Sequence, residues 1–277
     1  MGENAAVCAN CGASLGGEYC SRCGERRLER GQLKLSAFAG SALEEVTDLE
    51  HSKLLRTFQT LIFAPGALTS EYLRGRRQSF IGPVKIYLVI FALSFLLYSF
   101  FKSTSVYDVR TMISLDPSGE IAAQMKQLAQ KTHLSESVAI AEVNTRWQRY
   151  LNLTQAIYPL GIALLLQILY FRTRRYFAEH LIFALHFSSI ALGVNILTWP
   201  IFALTGLKPS VGYTVTISIS LFLTVVWLLI ASRRVYGVSW VNSALKSILI
   251  EAGYLALGIL ITLYTFSLAV ASLARLD

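Results

Sequence analysis

Long apolar segments separated by short polar ones dominate the chain from residue 83 onward. Five of these segments are long enough to cross a hydrocarbon layer of about 30 Å, because an α-helix rises about 1.5 Å per residue. The predicted spans are residues 83–101, 151–171, 181–206, 212–231 and 248–271. The pattern therefore predicts an all-α integral membrane protein with about five transmembrane helices.

Two segments outside these spans have amphipathic patterns. In residues 31–82, apolar positions such as Leu54, Phe58 and Leu61 recur at three- and four-residue spacing, which predicts juxtamembrane helices. Their apolar face lies either on the inner membrane surface or against the helical bundle. Residues 103–150, between the first two spans, have a second helical pattern, which predicts a small helical segment on the opposite side of the membrane.

The composition agrees with a bilayer environment for most of the chain. Hydrophobic residues make up 54% of it and charged residues 15%, whereas charged residues are roughly a quarter of a typical soluble domain. Three basic clusters mark alternate connections between the spans, and all three lie on the same side of the membrane if there are five spans. They are Arg74, Arg76 and Arg77, then Arg172, Arg174 and Arg175, then Arg233, Arg234 and Lys246. The positive-inside rule predicts a cytosolic N-terminus, an extracytoplasmic C-terminus and an extracytoplasmic position for residues 103–150.

The formal net charge of +8 has a local cause, since the excess of basic residues lies beside the predicted spans. Basic residues in that position attract anionic lipid headgroups. Arg74, Arg76 and Arg77 are the candidate headgroup contacts in this sequence. The basic character of the chain is therefore no indication of a nucleic-acid partner.

The four cysteines form a single pattern, in which eight residues separate Cys8-x2-Cys11 from Cys20-x2-Cys23. Two intervening residues allow both thiolates of a pair to reach one metal ion from a tight turn. A glycine follows each pair and can adopt the positive φ that turns backbone N–H groups toward the sulfurs. Residues 1–30 are too few for a hydrophobic core of their own. They are therefore predicted to form a small zinc ribbon that the four cysteines hold together.

Two disulfides, a redox-active dithiol and an iron centre are the alternatives to zinc. Disulfides are disfavoured in a reducing cytosol, and a thioredoxin-like C-x2-C motif needs a βαβ setting that this segment lacks. We therefore expect structural Zn²⁺. A site closed by four thiolates has no open coordination position, so it predicts docking of a cytosolic partner or of the juxtamembrane helices, and no catalysis.

Five polar residues lie inside or at the start of predicted spans. They are Glu179, His180, His186, Asn195 and Glu251. Such groups are costly in lipid and are candidates for function. One interpretation is a proton or metal pathway that uses Glu179, His186 and Glu251. The other is hydrogen bonding between helices, with an ion pair at the membrane edge between Glu251 and one of the arginines that follow the second span.

The sequence contains no motif of a peptidase, lipase, ATPase or dehydrogenase, and no catalytic residue is predicted. The favoured hypothesis is a scaffold, a sensor or a membrane-organising protein with a cytosolic zinc ribbon. The first alternative is a transporter or channel that uses the intramembrane residues Glu179, His186, Asn195 and Glu251. The second is an intramembrane metal-dependent enzyme built on Glu179, His180 and His186.

Several short motifs together resemble one protein family. They are Cys8-x2-Cys11-Gly12, Tyr19-Cys20-x2-Cys23-Gly24-x-Arg26, Thr57-Phe58-x2-Leu61, Pro65-Gly66, Glu71-Tyr72-Leu73-x-Gly75-x-Arg77, and a later stretch from Tyr176 to His186. The family is an uncharacterised bacterial one, catalogued as a domain of unknown function, that joins a zinc ribbon to a multispanning membrane region. The resemblance implies a bacterial inner-membrane protein without an assigned activity. The order of a cytosolic segment and five spans is also loosely similar to Yip-type proteins, which organise membranes.

Overall fold

A computed structural model describes residues 7–25, 27, 51–100, 108–154, 157–205 and 209–275 of the chain. These residues contain ten α-helices, and a short 3₁₀ helix, Phe171–Thr173, follows the seventh. The α-helices are α1 (His51–Phe63), α2 (Ala67–Leu73), α3 (Pro83–Phe100), α4 (Val109–Leu115), α5 (Glu120–Lys131), α6 (Glu136–Thr154), α7 (Ile157–Leu169), α8 (Phe177–Thr205), α9 (Pro209–Tyr236) and α10 (Trp240–Ala274). Apart from an isolated bridge between Val7 and Ser14, the described residues form no β-structure, so the all-α prediction is confirmed for them.

Three helices are long and apolar enough to cross a membrane. The qualifying segments are Phe177–Thr198 of α8, Thr214–Tyr236 of α9 and Trp240–Ala274 of α10. Each of these helices begins before the corresponding predicted span. The predicted spans start where the apolar run starts, whereas the helical backbone also includes the polar residues that precede it. Several apolar helices of the described chain can thus cross a membrane, as the hydropathy pattern predicts.

The other two predicted spans are less regular. Residues 151–171 fall on α6 and α7, which meet at a bend of 44° and form one further crossing only if the bent pair spans the membrane together. The apolar part of α3 is Pro83–Leu97, which is about 22 Å long at the helical rise and shorter than the hydrocarbon layer. The described residues therefore provide three long spans and one bent candidate, and the count of five crossings stays a prediction.

The juxtamembrane helices α1 and α2 pack against the helical bundle. Leu61 and Tyr72 are buried in a core that they share with residues of α8 and α9. The turn between the two helices approaches α9 closely, since a Cβ placed on Gly66 would lie 2.8 Å from the backbone of Ala231. Of the two positions predicted for these helices, the structure therefore shows the one against the bundle. Residues 28–50, which include the start of the predicted juxtamembrane segment, lie outside the described part of the chain.

The segment predicted between the first two spans is helical and packs against α10. Trp147 of α6 is fully buried, and its Nε1 donates a hydrogen bond of 3.2 Å to Thr265 of α10. The Trp147 ring also meets the edge of Phe266, with 5.1 Å between the ring centroids. About two turns further along α10, Arg146 donates to the carbonyl oxygen of Ser272 at 3.2 Å. Helices α4 to α6 thus form a packed cap on the C-terminal part of α10.

Candidate metal centre and intramembrane cavity

The cysteine pairs form two similar turns, which together make the cysteine knuckle (residues 7–25). The N–H of Gly12 donates to the carbonyl oxygen of Cys8 at 3.0 Å, and the N–H of Gly24 donates to that of Cys20 at 2.8 Å. Gly12 and Gly24 have φ angles of 75° and 72°, a left-handed conformation that glycine adopts at little cost. The positive φ predicted after each pair is therefore confirmed.

The four thiol groups face one another in an arrangement that fits a tetrahedral metal ion. Their sulfur atoms all lie within 4.8 Å of one another, and the Sγ–Sγ distance is 3.6 Å for Cys8 and Cys23 and also for Cys11 and Cys20. A tetrahedron with metal–sulfur bonds of about 2.3 Å has edges of about 3.8 Å. A disulfide bond would need sulfurs about 2.05 Å apart, and the four cysteines are free. The cluster can therefore hold a metal ion.

The pKa values of the thiols show why a cation suits this cluster. Backbone hydrogen bonds from Arg22 and Cys23 lower the pKa of Cys20 to about 7. A backbone hydrogen bond from Ala13 acts in the same direction on Cys11, but desolvation and the three neighbouring thiols raise the pKa of Cys11 to about 12. All four thiols cannot ionise together unless a positive charge offsets the repulsion between them. A bound metal ion supplies that charge.

The cysteine knuckle docks on the turn between α2 and α3. The carboxylate of Glu25, which is only 4% exposed, accepts hydrogen bonds from the backbone N–H groups of Arg77 and Gln78, both at 2.9 Å. Ser79 Oγ donates to Asn10 Oδ1 at 2.8 Å in the same interface. The two N–H donors compensate the burial of the carboxylate. The knuckle is thereby fixed to the chain segment that enters α3.

The three arginines predicted to contact lipid headgroups have partners within the chain. Arg74 and Arg76 both form ion pairs with Glu71, at 3.2 Å and 2.8 Å, and Arg76 also donates to a backbone carbonyl of the knuckle. The guanidinium of Arg77 lies 4.9 Å from the centroid of the Tyr72 ring. These contacts shape the turn on which the knuckle rests. Arg74 and Arg76 remain largely exposed, and their contact with headgroups stays a prediction.

Glu179 and His180 begin α8 and contact the end of α9. Glu179 accepts a hydrogen bond from Arg175 at 2.9 Å, and Arg175 also donates to the carbonyl oxygen of Val235 at 2.6 Å. The Nδ1 atom of His180, a fully buried residue, lies 2.9 Å from the hydroxyl of Tyr236. His180 therefore joins α8 to α9 directly, as expected of hydrogen bonding between helices, whereas Glu179 is linked to α9 only through Arg175.

His186 contacts a juxtamembrane helix and none of the other predicted intramembrane residues. It is fully buried, and its Nδ1 lies 2.8 Å from Thr69 Oγ1 of α2. Among the described residues, Glu179, His180 and His186 thus form three separate contacts, and no metal-binding cluster of His, Cys, Asp or Glu is found there besides the four cysteines.

Asn195 and Glu251 line one cavity of about 900 Å³, which lies between α8, α9 and α10. Asn195 Oδ1 accepts from Ser220 Oγ at 3.4 Å, and Glu251 Oε1 accepts from Thr224 Oγ1 at 3.1 Å. Glu251 is 5% exposed, and its other carboxylate oxygen has no hydrogen-bond partner among the described residues. The expectation that Glu251 pairs with an arginine after the second span is therefore wrong within the described structure.

The wall of this cavity is mostly apolar, and its described ionisable groups are acidic or phenolic. Asp116, which follows α4, and Glu120, the first residue of α5, line it together with Glu251, whereas no described Lys, Arg or His does so. The lining follows α10 from Glu251 to Leu263, which is about 18 Å along the helix. The cavity therefore offers an apolar space with a buried carboxylate in its wall.

Hydroxyl residues of α9 also line the cavity, and none of them is among the residues predicted from the sequence. Thr216, Ser220 and Thr224 recur every four residues and all line the cavity. In the sequence these hydroxyl residues lie within an uncharged apolar run, and the mean hydropathy of that run is still high enough for a membrane span. Their spacing is the signal, since residues four apart share one face of a helix.

Comparison with known proteins points to an uncharacterised domain family. A family profile described as "Protein of unknown function (DUF3667)" matches residues 51–95. No curated protein and no solved structure gives a significant match. The matched residues form α1, α2 and most of α3, so the match supports the resemblance over that part of the chain.

The matched segment contains one contact that joins α1 to the start of α3 and one that joins α1 to the helical bundle. Thr57 Oγ1 in α1 accepts from the backbone N–H of Ile81 at 3.0 Å, just before α3 begins. Trp227 of α9 donates from Nε1 to the carbonyl oxygen of Leu61 at 2.9 Å. The similarity to the family therefore falls on a structural junction, and it assigns no chemistry to the knuckle or to the cavity.

Proposed function

We propose that this chain is a multi-pass transporter of the bacterial inner membrane that binds a small organic cation in the cavity between α8, α9 and α10. The observation that carries the proposal is the Glu251 carboxylate, which is buried, lines the cavity and has an oxygen without a hydrogen-bond partner in the described structure. A buried carboxylate is costly unless a cation or hydrogen-bond donors compensate it. A cationic ligand would supply the missing partner.

The charges of the wall favour a cation over an anion. Asp116, Glu120 and Glu251 all contribute to the described lining. Carboxylates that surround an apolar space raise the local concentration of positive ligands and disfavour negative ones. Asn195 and Thr224 add hydrogen-bonding groups that can orient the polar end of a ligand.

The size and polarity of the cavity favour a ligand with an apolar body. Its volume of about 900 Å³ lies in the range typical of sites for small organic molecules. Aromatic and aliphatic side chains such as Phe91, Leu192 and Tyr254 make up most of the wall. A hydrated metal ion would leave these surfaces in contact with water, whereas an organic cation would cover them.

For the cysteine knuckle we propose Zn²⁺ and a position in the cytosol. Arg175 donates to Val235 near the end of α9, and Arg234 of α9 donates to Pro65 in the turn between α1 and α2. Basic residues of two predicted clusters therefore lie close to the juxtamembrane helices. This arrangement supports a cytosolic N-terminus by the positive-inside rule and, with α10 as the last span, an extracytoplasmic C-terminus.

The knuckle's partner in this proposal is its own chain. The hydrogen bonds of Glu25 and Asn10 to the turn before α3 support an internal docking role. A scaffold that binds a separate cytosolic protein through the knuckle stays a prediction from the sequence.

Binding of tetraphenylphosphonium, an organic cation with four aromatic rings, tests the proposal. We expect saturable binding to the purified full chain, and little competition from triphenylphosphine oxide, which is similar in shape but neutral. Glu251→Gln should weaken binding at least about tenfold, because the ligand would lose its counter-charge. The same variant should abolish the part of the uptake into proteoliposomes that exceeds passive entry of the cation into protein-free liposomes.

Glu142→Gln is the matched control, since Glu142 is a partly exposed carboxylate on α6 and does not line the cavity. It should bind the cation like the unmodified chain. Equal binding by Glu251→Gln and Glu142→Gln would overturn the proposal. So would equal affinity for the cation and the neutral compound.

A further inference from the structure

A second pocket, of about 370 Å³, lies on the surface of the bundle where α7 ends and α10 begins. It is lined by residues 169–173 at the end of α7 and by Asn242 and Lys246 of α10. We propose that Arg172 and Lys246 in this pocket bind the phosphate group of an anionic membrane lipid. The site is separate from the cavity around Glu251, so it does not depend on the proposed transport function.

The positions of the two cationic groups are set by aromatic rings. Lys246 Nζ lies 4.0 Å from the centroid of the Tyr170 ring, and the guanidinium of Arg172 lies 5.5 Å from that of Phe171. Tyr170 is itself buried and stacks on Tyr236 with 3.7 Å between their centroids. The ring beneath Lys246 is therefore rigidly held, and the ammonium group is oriented before any ligand binds.

Neither cation has an acidic partner in the described structure. The ion pairs found there involve other basic residues, and the described pocket lining contains no carboxylate. Glu179, the acidic residue nearest to Arg172 along the chain, is occupied by Arg175. Glu251, the one nearest to Lys246, accepts from Thr224 inside the bundle and does not line this pocket. Two neighbouring cations without a counter-charge form a site for an anion. The oxygens of a phosphate group can accept hydrogen bonds from both the Arg172 guanidinium and the Lys246 ammonium group.

Exposed apolar side chains next to the pocket identify a lipid as the source of the phosphate. Ile168, one residue before the pocket, is 69% exposed, and Leu245 and Leu249 are exposed beside Lys246 on α10. In a helix that crosses a membrane, such side chains contact acyl chains. A lipid can therefore place its phosphate between Arg172 and Lys246 and its chains along these residues. Basic pockets between transmembrane helices bind lipid headgroups in this way.

The location also suits a headgroup. The apolar helix α7 ends at Leu169, directly before Arg172, and α10 begins only six residues before Lys246. Trp240 at the start of α10 carries the guanidinium of Arg233 over its ring at 4.4 Å. Aromatic and basic residues together mark the level of the headgroups in membrane proteins.

Lipid titration of the full chain in detergent micelles, followed by native mass spectrometry, tests the proposal. Phosphatidylglycerol should bind more tightly than phosphatidylcholine. Arg172→Gln/Lys246→Gln should lower the affinity for phosphatidylglycerol about thirtyfold, since each basic residue at a membrane surface contributes about fivefold. Arg172→Lys/Lys246→Arg should restore most of it, which separates loss of charge from loss of folding.

The control is Lys131→Gln/Arg149→Gln, which removes two exposed charges from α5 and α6, outside the pocket, and should leave the affinity unchanged. Glycerophosphoglycerol, which has the same phosphodiester group without acyl chains, should compete weakly. Strong competition by it would overturn the assignment to a lipid and indicate a soluble phosphate ligand. Unchanged phosphatidylglycerol binding in the Gln double variant, or equal binding of both lipids, would overturn the site itself.

Discussion

Removal of the Glu25 side chain should release the cysteine knuckle from the bundle and leave its metal site intact. One carboxylate oxygen of Glu25 accepts both the Arg77 and the Gln78 backbone N–H groups, and Glu25 is almost fully buried. Hydrogen bonds to a charged group contribute about 1.5–3 kcal/mol each, and a shared acceptor lowers the sum. We therefore expect Glu25→Ala to weaken docking by about 2–4 kcal/mol and Glu25→Gln, which keeps a neutral acceptor, by about half as much.

Hydrogen exchange of the full chain measures this directly, because Arg77 and Gln78 donate the amide protons concerned. A docking loss of 2–4 kcal/mol corresponds to about 30- to 1,000-fold more of the open state, and their exchange should accelerate to a similar extent. Glu142→Ala, which removes a partly exposed carboxylate from α6, is the control. Unchanged exchange of both amides in Glu25→Ala would refute the docking argument. Loss of bound metal in that variant would show instead that Glu25 is needed to fold the knuckle.

Three further predictions concern the metal site and the packing of α2. Cys20→Ser should reduce bound zinc from one ion per chain to nearly none, measured by elemental analysis of the purified protein, because three thiolates with one hydroxyl hold Zn²⁺ poorly; full zinc content in this variant would contradict the site. Thr69→Val should destabilise the chain by about 1–3 kcal/mol in detergent unfolding experiments, since it removes the hydroxyl partner of buried His186 Nδ1. Thr145→Val, whose exposed hydroxyl bonds only within its own helix, should have little effect. Gly66→Ala should also lower the unfolding midpoint, because its φ of 74° and the 2.8 Å approach to Ala231 leave no room for a methyl group; an unchanged midpoint would mean that this turn does not pack on α9.

The parts of the fold that the sequence predicts best are those set by local patterns. The spans on α8, α9 and α10 follow from uninterrupted apolar composition, and the cysteine turns follow from spacing and from glycines at positions 12 and 24. Pro159 and Gly161 predict a kink in the span of residues 151–171, but the angle of 44° and the place of the bend, before Ile157, do not follow from the sequence. The position of the bend depends on how α6 packs against α10, which involves residues more than a hundred positions apart.

The partners of polar residues were harder to predict, because they depend on the depth and rotation of helices. Glu251 opens the apolar run of the last span, which suggested an arginine partner at the membrane edge, but its side chain faces α9 inside the bundle. It therefore meets Thr224 and the cavity instead of an arginine. Glu25 resembles any surface carboxylate in the sequence, since the turn that buries it lies some fifty residues away.

Labelling with dicyclohexylcarbodiimide, an apolar reagent that modifies carboxyl groups in apolar surroundings, tests the central claim most directly. The claim is that Glu251 lies in a cavity that an organic cation can occupy. The account predicts a mass-spectrometric adduct on the Glu251 peptide that tetraphenylphosphonium suppresses, and no such protected adduct on the ion-paired Glu179. An unmodified Glu251, or an adduct that forms equally with and without the cation, would contradict it.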